Sequence, residues 1–390
     1  MNYYERALEL KEETISCRRH LHEHAETGLD LPDTVSYVME KLTEAGYQPK
    51  KCGHGVTTTV GHGSPVLLLR ADMDGLPITE DSGEPFASKN GRMHACGHDF
   101  HTAMLLTAAK MLKENEAELN GTVKFMFQPA EETFEGSKDM IANGILEDPK
   151  PDAALAYHVA IAKMPYTMYM YNAGSTMMNS VDGFKITITG QGTHGACPQQ
   201  GVDPINIGVH IHLALQELIA RESDPKNACV LTIGKFEAGT VANIIPDTAV
   251  LQGTLRTDDP KAREHLMKRL HEVCEKTADV YGGRVSIEAL SDVPPLICNG
   301  ELTEEMAGYM KELDIPGLTP YPDCLATASE DFAVVAEQIP STYMYLCAGT
   351  MDERSDYPVH HPKARFNEEI CPIGASCYAH CATEWLAHHA

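Results

Sequence analysis

The amino-acid sequence predicts an α/β protein with a mostly parallel central sheet, into which a smaller α+β domain is inserted. In residues 1–181, and again after Pro294, short apolar runs alternate with helical stretches, as they do in parallel sheets. Residues 182–293 instead follow the order β-α-β-β-α-β of a ferredoxin-like unit. We therefore expect one domain from residues 1–181 and 294–390, and a second from residues 182–293.

In the larger domain, each element is predicted from the spacing of its apolar residues. The segment VLLLRA at 66–71 is a continuous apolar run, typical of a strand buried on both faces. Pro32 and Asp33 open a helix that ends near Gly46. The elements expected before the insertion are two helices within residues 1–46, strands at 66–71, 122–127 and 153–159, and helices at 101–116 and 136–143. Those expected after it are helices at 302–312 and 329–338, a strand at 342–348 and a closing helix from about residue 371.

In the inserted domain, FKITITG at 184–190 alternates apolar and polar residues, as a strand with one buried face does. The elements expected after it are a helix at 203–221, strands at 228–236 and 248–256, a helix at 260–279 and a strand at 284–290. This order predicts an antiparallel sheet that carries two helices.

The composition restricts the class of function. The 390 residues include 56 acidic and 31 basic side chains, a formal net charge of −25, which argues against nucleic acid or an anionic membrane surface as a partner. The opening residues contain no apolar segment of the kind that a signal peptide needs, and no stretch approaches 18 apolar residues. The 12 cysteines are spread along the whole chain. We expect a cytoplasmic protein with mostly free thiols.

The densest group of chemically active residues is MHACGHDFH at 93–101, which holds three histidines, a cysteine and an aspartate just before a helix. Thiolate and imidazole are ligands of borderline-soft divalent metals. Cys96 and His98, two residues apart across a glycine, can both point into one site. The alternative is a polar helix start with Asp99 near the cap.

A second group, Glu131 and Glu132, directly follows the strand at 122–127. In open α/β sheets, sites lie outside the carboxyl ends of strands, where one carboxylate can ligate a metal and the other act as a general base. A solvated acidic turn is the alternative. With His158 at another strand end and His360-His361 near the C-terminus, the sequence supplies enough donors for two metal ions.

These residues belong to a pattern that resembles the M20 metallopeptidases, and within that family the amidohydrolase branch. This branch includes hippurate hydrolase-like aminoacylases, N-acetyl-diaminopimelate deacetylases and auxin-conjugate hydrolases. The matching stretches run in family order along nearly the whole chain. They are RRHLHEHAE (18–26), ADMDGLPITE (71–80), MHACGHDFHTAMLL (93–106), FQPAEE (127–132), GTHGACPQQGVDPI (192–205), NIIPDTAVLQGTLR (243–256), SEDF (329–332) and VHHP (359–362).

The resemblance implies a zinc-peptidase-like catalytic domain with two divalent metal ions, either zinc, manganese, cobalt or nickel. The implied metal ligands are Cys96, His98, Glu132, His158 and His360. By the same resemblance Cys96 bridges the two ions, Glu131 is the general base and Asp74 orients a ligand side chain.

For the inserted domain, the resemblance implies a lid through which the chain forms a homodimer. His194 would stabilise the oxyanion, and Asn243 and Arg256 would contact the substrate. The implied reaction is hydrolysis of the amide bond of a small N-acyl amino acid by a metal-bridged hydroxide. A dipeptidase or carboxypeptidase of the same family is the alternative, and a catalytically silent dimer that binds acidic metabolites is a further one.

Overall fold

In the computed structural model, which describes all 390 residues, the chain is divided between two units. The first consists of Met1–Met177, Ile297–Leu325 and Asp331–Ala390, and the second of Met178–Leu296 and Ala326–Glu330. Strands β7 (Thr176–Met178) and β14 (Leu296–Ile297) lie where the chain passes from one unit to the other.

The first unit is built on an eight-stranded sheet in the order β1-β2-β4-β3-β5-β16-β6-β15. At its centre β3 runs parallel to both β4 and β5, and β5 runs parallel to β16. The predicted α/β class is therefore confirmed. Its strands are β1 (Lys50–Cys52), β2 (Gly55–Gly61), β3 (Val66–Asp72), β4 (Thr122–Gln128), β5 (Ala153–Ala160), β6 (Met168–Met170), β15 (Thr319–Tyr321) and β16 (Ser341–Cys347).

Helices pack against this sheet through nearly continuous apolar surfaces. The helix that starts at His98 buries every residue from His98 to Ala109, and the C-terminal helix packs beside it. The helices of this unit are α1 (Tyr3–Glu9), α2 (Lys11–Glu23), α3 (Pro32–Glu44), α4 (His98–Glu114), α5 (Gly136–Ala142), α8 (Gly300–Glu312), α9 (Ala333–Ala336) and α10 (Ile370–His389).

The second unit has the predicted order β-α-β-β-α-β. Its four-stranded sheet has the order β10-β12-β8-β13, with every neighbouring pair antiparallel. The elements are β8 (Val181–Thr189), α6 (Pro204–Glu217), β10 (Cys229–Ala238), β12 (Thr248–Thr257), α7 (Pro260–Val280) and β13 (Arg284–Val293). A short pair outside this sheet joins β9 (Thr193–His194) to β11 (Ile244–Ile245).

Two predictions of local structure were wrong. The segment 329–338 is helical only over Ala333–Ala336, because the carboxylate of Asp331 accepts hydrogen bonds from the amide nitrogen of Ser137 and the amide group of Gln128, which hold the chain before the helix. The first of the two helices expected within residues 1–46 is divided at Leu10, whose backbone angles of φ −90° and ψ 2° leave the helical range.

No helix combines the length and the apolar character that crossing a bilayer requires.

Arg70 is a charged residue in the middle of the apolar strand β3, and its side chain is fully buried. Its Nη1 donates to Asp72 Oδ2 at 2.7 Å and its Nε to Gln128 Oε1 at 2.9 Å, while Nη2 lies 3.3 Å from Asp331 Oδ1. These contacts join strands β3 and β4 to the segment before α9. Because a buried charge is tolerated only when it is paired, this cluster fixes how the three segments meet.

We expect Arg70→Met to lower the free energy of unfolding by about 3–5 kcal/mol, because it leaves buried carboxylates without their cation. Urea denaturation followed by circular dichroism measures the loss. Arg6→Met is the matched control, since Arg6 pairs with Glu114 at the surface and such pairs contribute about 0–1 kcal/mol. Equal losses in the two variants would contradict the structural role given to Arg70.

Candidate metal centre

Carboxylates and an imidazole of the first unit lie at the carboxyl ends of three neighbouring strands. Asp72 ends β3, Glu131 and Glu132 follow β4, and His158 lies near the end of β5. Because β3 runs parallel to both of its neighbours, these ends meet at one edge of the sheet.

Gly97 places Cys96 and His98 at this edge. It precedes α4 with a φ of 96°, a left-handed conformation that glycine adopts without steric cost. A Cβ atom at this position would lie 2.4 Å from Val159 Cγ2 and 2.9 Å from Phe366 Cε1. The residue between the two donors must therefore be glycine.

The Cys96 sulfur belongs to two groups of donors. The first consists of Cys96, His98 and His158, and the second of Cys96, Glu132 and His360; within each group the potential ligand atoms lie within 4.8 Å of one another. Cys96 Sγ is 3.4 Å from His158 Nε2 and 3.2 Å from His360 Nε2, which is 3.3 Å from Glu132 Oε1. Two donor groups that share one sulfur could hold two metal ions.

The hydrogen bonding of the buried His98 ring indicates whether these residues suit a metal. The ring is fully buried, and neither Nδ1 nor Nε2 makes a hydrogen bond; the carboxylate oxygens beside them are Asp74 Oδ1, 3.4 Å from Nδ1, and Asp72 Oδ2, 3.7 Å from Nε2. Such unsatisfied buried groups cost free energy and are rare in folded proteins. Sulfur, imidazole and carboxylate are the donors that zinc and similar ions take. The residues present therefore fit a divalent metal.

The charges at the site favour bound cations. Although burial opposes it, the carboxylate of Asp72 and the thiol of Cys96 hold the pKa of His98 well above its usual value. Contacts with Cys96 and Glu132 raise the pKa of His360 to about 10. Without a metal, the site therefore attracts protons to two of its imidazoles, and a metal ion would replace them.

Asp74 supports the turn that carries the two glutamates. Its Oδ1 accepts from the amide nitrogen of Glu131 at 3.0 Å and its Oδ2 from that of Glu132 at 3.1 Å. Oδ1 also lies 3.4 Å from His98 Nδ1. Ala130, just before the two glutamates, has a positive φ of 51°, a conformation that is strained for a residue other than glycine. The hydrogen bonds from Asp74 hold the turn in this conformation.

His158 is oriented by its own strand. His158 Nδ1 donates to the carbonyl oxygen of Val159 at 2.7 Å. Because the proton of the neutral ring is then on Nδ1, Nε2 is left with its lone pair towards Cys96. His361, beside His360, contributes no atom to either donor group; its Nδ1 accepts from the amide nitrogen of Lys363 at 3.0 Å.

The other predicted residues lie in the second unit. His194 and Asn243 are adjacent, because β9 and β11 pair and the Gly195 amide donates to the Asn243 carbonyl oxygen at 2.8 Å. Arg256 lies near the end of β12, where its Nη1 donates to Ser329 Oγ at 2.9 Å.

Two buried residues beside the donors, Asp72 and His101, were not predicted as site residues from the sequence. They form a further group with His98 whose potential ligand atoms lie within 4.8 Å of one another. Both lie inside the motifs quoted above. His101 follows His98 by three residues, about one helical turn, and this spacing could have indicated that the two rings lie side by side.

Comparison with known proteins agrees with the resemblance found in the sequence. The family model described as peptidase family M20/M25/M40 matches residues 68–384. N-acetyl-L-cysteine deacetylase of Bacillus subtilis is 36% identical over 371 residues, 92% of this chain and 85% of that protein. Hippurate hydrolase of Campylobacter jejuni is 33% identical over 393 residues, 99% of this chain and 100% of that protein.

A solved structure has the same architecture. It is a dinuclear metal binding peptidase of the M20 family from Bacillus subtilis, with a TM-score of 0.81 and 31% identity, covering 97% of this chain and 99% of that one. The chain belongs to peptidase family M20/M25/M40, and it is a hydrolase that acts on amide bonds.

We expect Gly97→Ala to lose bound metal, because the added methyl group displaces Cys96 and His98 from the donor groups. Metal content after gel filtration, measured by inductively coupled plasma mass spectrometry, reports the loss. Gly91→Ala is the control: its φ of 78° is also left-handed, but nothing lies within 4 Å of the new Cβ. If Gly97→Ala retained as much metal as Gly91→Ala, the placement of the two donors would be wrong.

Proposed function

We propose that this protein is a metal-dependent amidohydrolase that cleaves the amide bond between an acyl group and an amino acid. The observation that carries the proposal is the Cys96 sulfur, 3.4 Å from His158 Nε2 and 3.2 Å from His360 Nε2, in one donor group with Glu132. Glu131 belongs to a further donor group with His98 and Glu132. Relatives named for acylated amino acids support the substrate class.

We assign the metal ligands as Cys96, His98, Glu132, His158 and His360, with Cys96 shared between two ions. Ions held there would act as Lewis acids on the scissile carbonyl and lower the pKa of the attacking water. Zinc, manganese, cobalt and nickel are the candidates; the thiolate favours zinc, cobalt and nickel over harder ions on grounds of ligand softness.

Glu131 is the proposed general base. Its Oε2 lies 3.9 Å from His98 Nε2, and Asp74 fixes its backbone. The carboxylate takes a proton from the attacking water and then passes it to the leaving nitrogen as the C–N bond breaks. The products are the free carboxylate of the acyl group and the free amine of the amino acid.

We assign the second unit the role of lid and dimerisation domain. Three of its residues are proposed to act on the substrate. His194 Nδ1 accepts from the amide nitrogen of Ala196 at 3.0 Å, which leaves Nε2 as the protonated nitrogen of the neutral ring. It can therefore donate to the oxyanion, an interaction that contributes about 2.7–4 kcal/mol in other enzymes. Asn243 and Arg256 are the proposed substrate contacts, with Arg256 suited to a carboxylate.

A substrate panel tests the function and its alternative. N-acetyl and N-benzoyl amino acids are compared with dipeptides as substrates of the metal-loaded protein, with release of free amine as the signal. We expect the acylated amino acids to have the higher kcat/KM. Preference for dipeptides would establish the peptidase alternative, which relatives named thermostable carboxypeptidases also represent. If the metal-loaded protein hydrolysed neither class, the remaining alternative would be a catalytically silent dimer that binds acidic metabolites.

We expect Glu131→Gln to bind the full complement of metal but to lose about 10²–10⁴-fold in kcat, because the amide cannot accept the proton. Glu132→Gln, the matched neighbour, is expected to lose metal, since it removes a charged ligand. Metal content and initial rates are measured for both. Near-normal turnover of Glu131→Gln would remove this residue from its role.

The homodimer proposed for this chain is supported by an apolar surface on the second unit. Strand β10 is an edge of its sheet, and it exposes Val230 and Phe236. The adjacent helix α6 exposes Ile205, Val209 and Leu213 at a spacing of four residues, so they form one stripe. An exposed edge strand and an apolar stripe together suit pairing with a second copy.

We expect Val209→Glu to shift the protein from dimer to monomer, because it places a charge in this apolar surface. Analytical ultracentrifugation over a range of concentrations measures the shift. Leu290→Glu is the control, because Leu290 is also exposed but lies on β13 at the opposite edge of the sheet. Dissociation by both variants, or by neither, would count against this surface.

We also propose a reducing compartment, the cytoplasm, for this protein. All 12 cysteines are free thiols, and most of them are buried. In a 390-residue chain with such a large core, no disulfide is needed for stability.

A further inference from the structure

His101 is a fully buried histidine of α4 whose two ring nitrogens are both engaged by the protein. Its Nε2 accepts from the amide nitrogen of Val159 at 2.8 Å, and its Nδ1 lies 2.5 Å from Asp72 Oδ1. Because the nitrogen that accepts from an N–H group carries no proton, the proton of the neutral ring is on Nδ1 and is donated to Asp72. With both nitrogens occupied, His101 has no lone pair left for a metal.

Asp72 fixes this tautomer. Its second carboxylate oxygen, Oδ2, accepts from Arg70 Nη1 at 2.7 Å, so the residue is held as a carboxylate between a guanidinium and an imidazole. All three side chains are fully buried. They form a continuous chain of hydrogen bonds from Arg70 through Asp72 and His101 to the amide of Val159.

This chain ends on the peptide bond that follows a proposed metal ligand. The amide nitrogen of Val159 is joined to the carbonyl carbon of His158, and the carbonyl oxygen of Val159 accepts from His158 Nδ1 at 2.7 Å. The rings of His101 and His158 are also in contact, with centroids 4.5 Å apart. The backbone beside His158 is thus held through its amide, and the imidazole through the carbonyl oxygen of the next residue.

We propose that His101 is a positioning residue for the metal centre: held by Asp72 as the Nδ1-protonated tautomer, it accepts the Val159 amide and so aims His158 Nε2 at the ions. The inference rests on the metal centre proposed above. It assigns Asp72 and His101 a role outside the ligand set, although both lie close to His98. Groups that orient ligands in this way commonly change metal affinity by about 10–100-fold when they are removed.

Two isosteric variants separate the bonds that His101 makes. In His101→Gln, the side-chain oxygen can replace Nε2 as the acceptor for the Val159 amide. In His101→Asn, the side-chain amide can replace Nδ1 as the donor to Asp72, but no acceptor reaches Val159. We expect His101→Asn to lose about 10–100-fold in Zn²⁺ affinity and His101→Gln to remain within a few-fold of the wild type.

Competition with a zinc-binding dye measures the affinity, and the thiolate charge-transfer absorption of the Co²⁺-loaded proteins reports the geometry at Cys96. A purely structural role for His101 predicts equal losses in the two variants. Equal affinities, or a greater loss in His101→Gln, would overturn the proposal. If the wild type itself bound no metal, the metal centre of the proposed function would fail instead, so the two failures are distinguishable.

Asp72→Asn provides a second test that does not alter His101. The side-chain amide of the new asparagine can donate to His101 Nδ1, so that the proton of the neutral ring moves to Nε2. Nε2 can then no longer accept from the Val159 N–H group. We expect weaker Zn²⁺ binding than in the wild type, with the metal-free variant retaining its far-ultraviolet circular dichroism. Should His101→Asn not fold, this variant decides the question: unchanged Zn²⁺ affinity would overturn the proposal.

Discussion

The sulfur of Cys96 is the atom on which the rest of the site depends. Burial raises the pKa of this thiol, so a thiolate at this position requires nearby cations. Two imidazole nitrogens lie within 3.4 Å of the sulfur, and the pKa of one of them, on His360, is raised to about 10. Cys96 and His158 are buried while His360 is half exposed, and a buried sulfur of this kind is costly as a thiolate unless cations compensate it. The family that the chain belongs to includes a dinuclear metal binding peptidase.

The fold places most of these donors at strand ends and at the start of a helix, whereas His360 lies in a loop. Three parallel strands end at one edge of the sheet and deliver carboxylates and an imidazole, while the left-handed Gly97 delivers Cys96 and His98 at the start of a buried helix. Asp74 binds the turn that carries both glutamates. Side chains on strand ends and helix starts are positioned more precisely than side chains on loops. Catalysis with two metal ions depends on such precise positions.

The features that were predictable from the sequence are those with a local signal. The strand at 66–71 was visible as an apolar run, and the donors Cys96 and His98 as a dense cluster of ligand types. His360 needed the family pattern, because a single histidine in a loop carries no signal of its own. Asp331 and Arg70 could not have been paired from the sequence, since they are 261 positions apart and their contact exists only in the folded chain. The same applies to strands β1, β2, β6 and β15, which form the two outer ends of the sheet. Their sequences are weakly patterned, and pairing with neighbouring strands stabilises them.

Anomalous diffraction from a crystal of the metal-loaded protein, collected above and below the metal absorption edge, tests most directly the proposal that two ions share the Cys96 sulfur. We predict two peaks about 3.5–4 Å apart, as in other two-metal sites, each about 2.3 Å from Cys96 Sγ if the metal is zinc. A single peak, or two peaks of which only one contacts this sulfur, would contradict a centre built around Cys96.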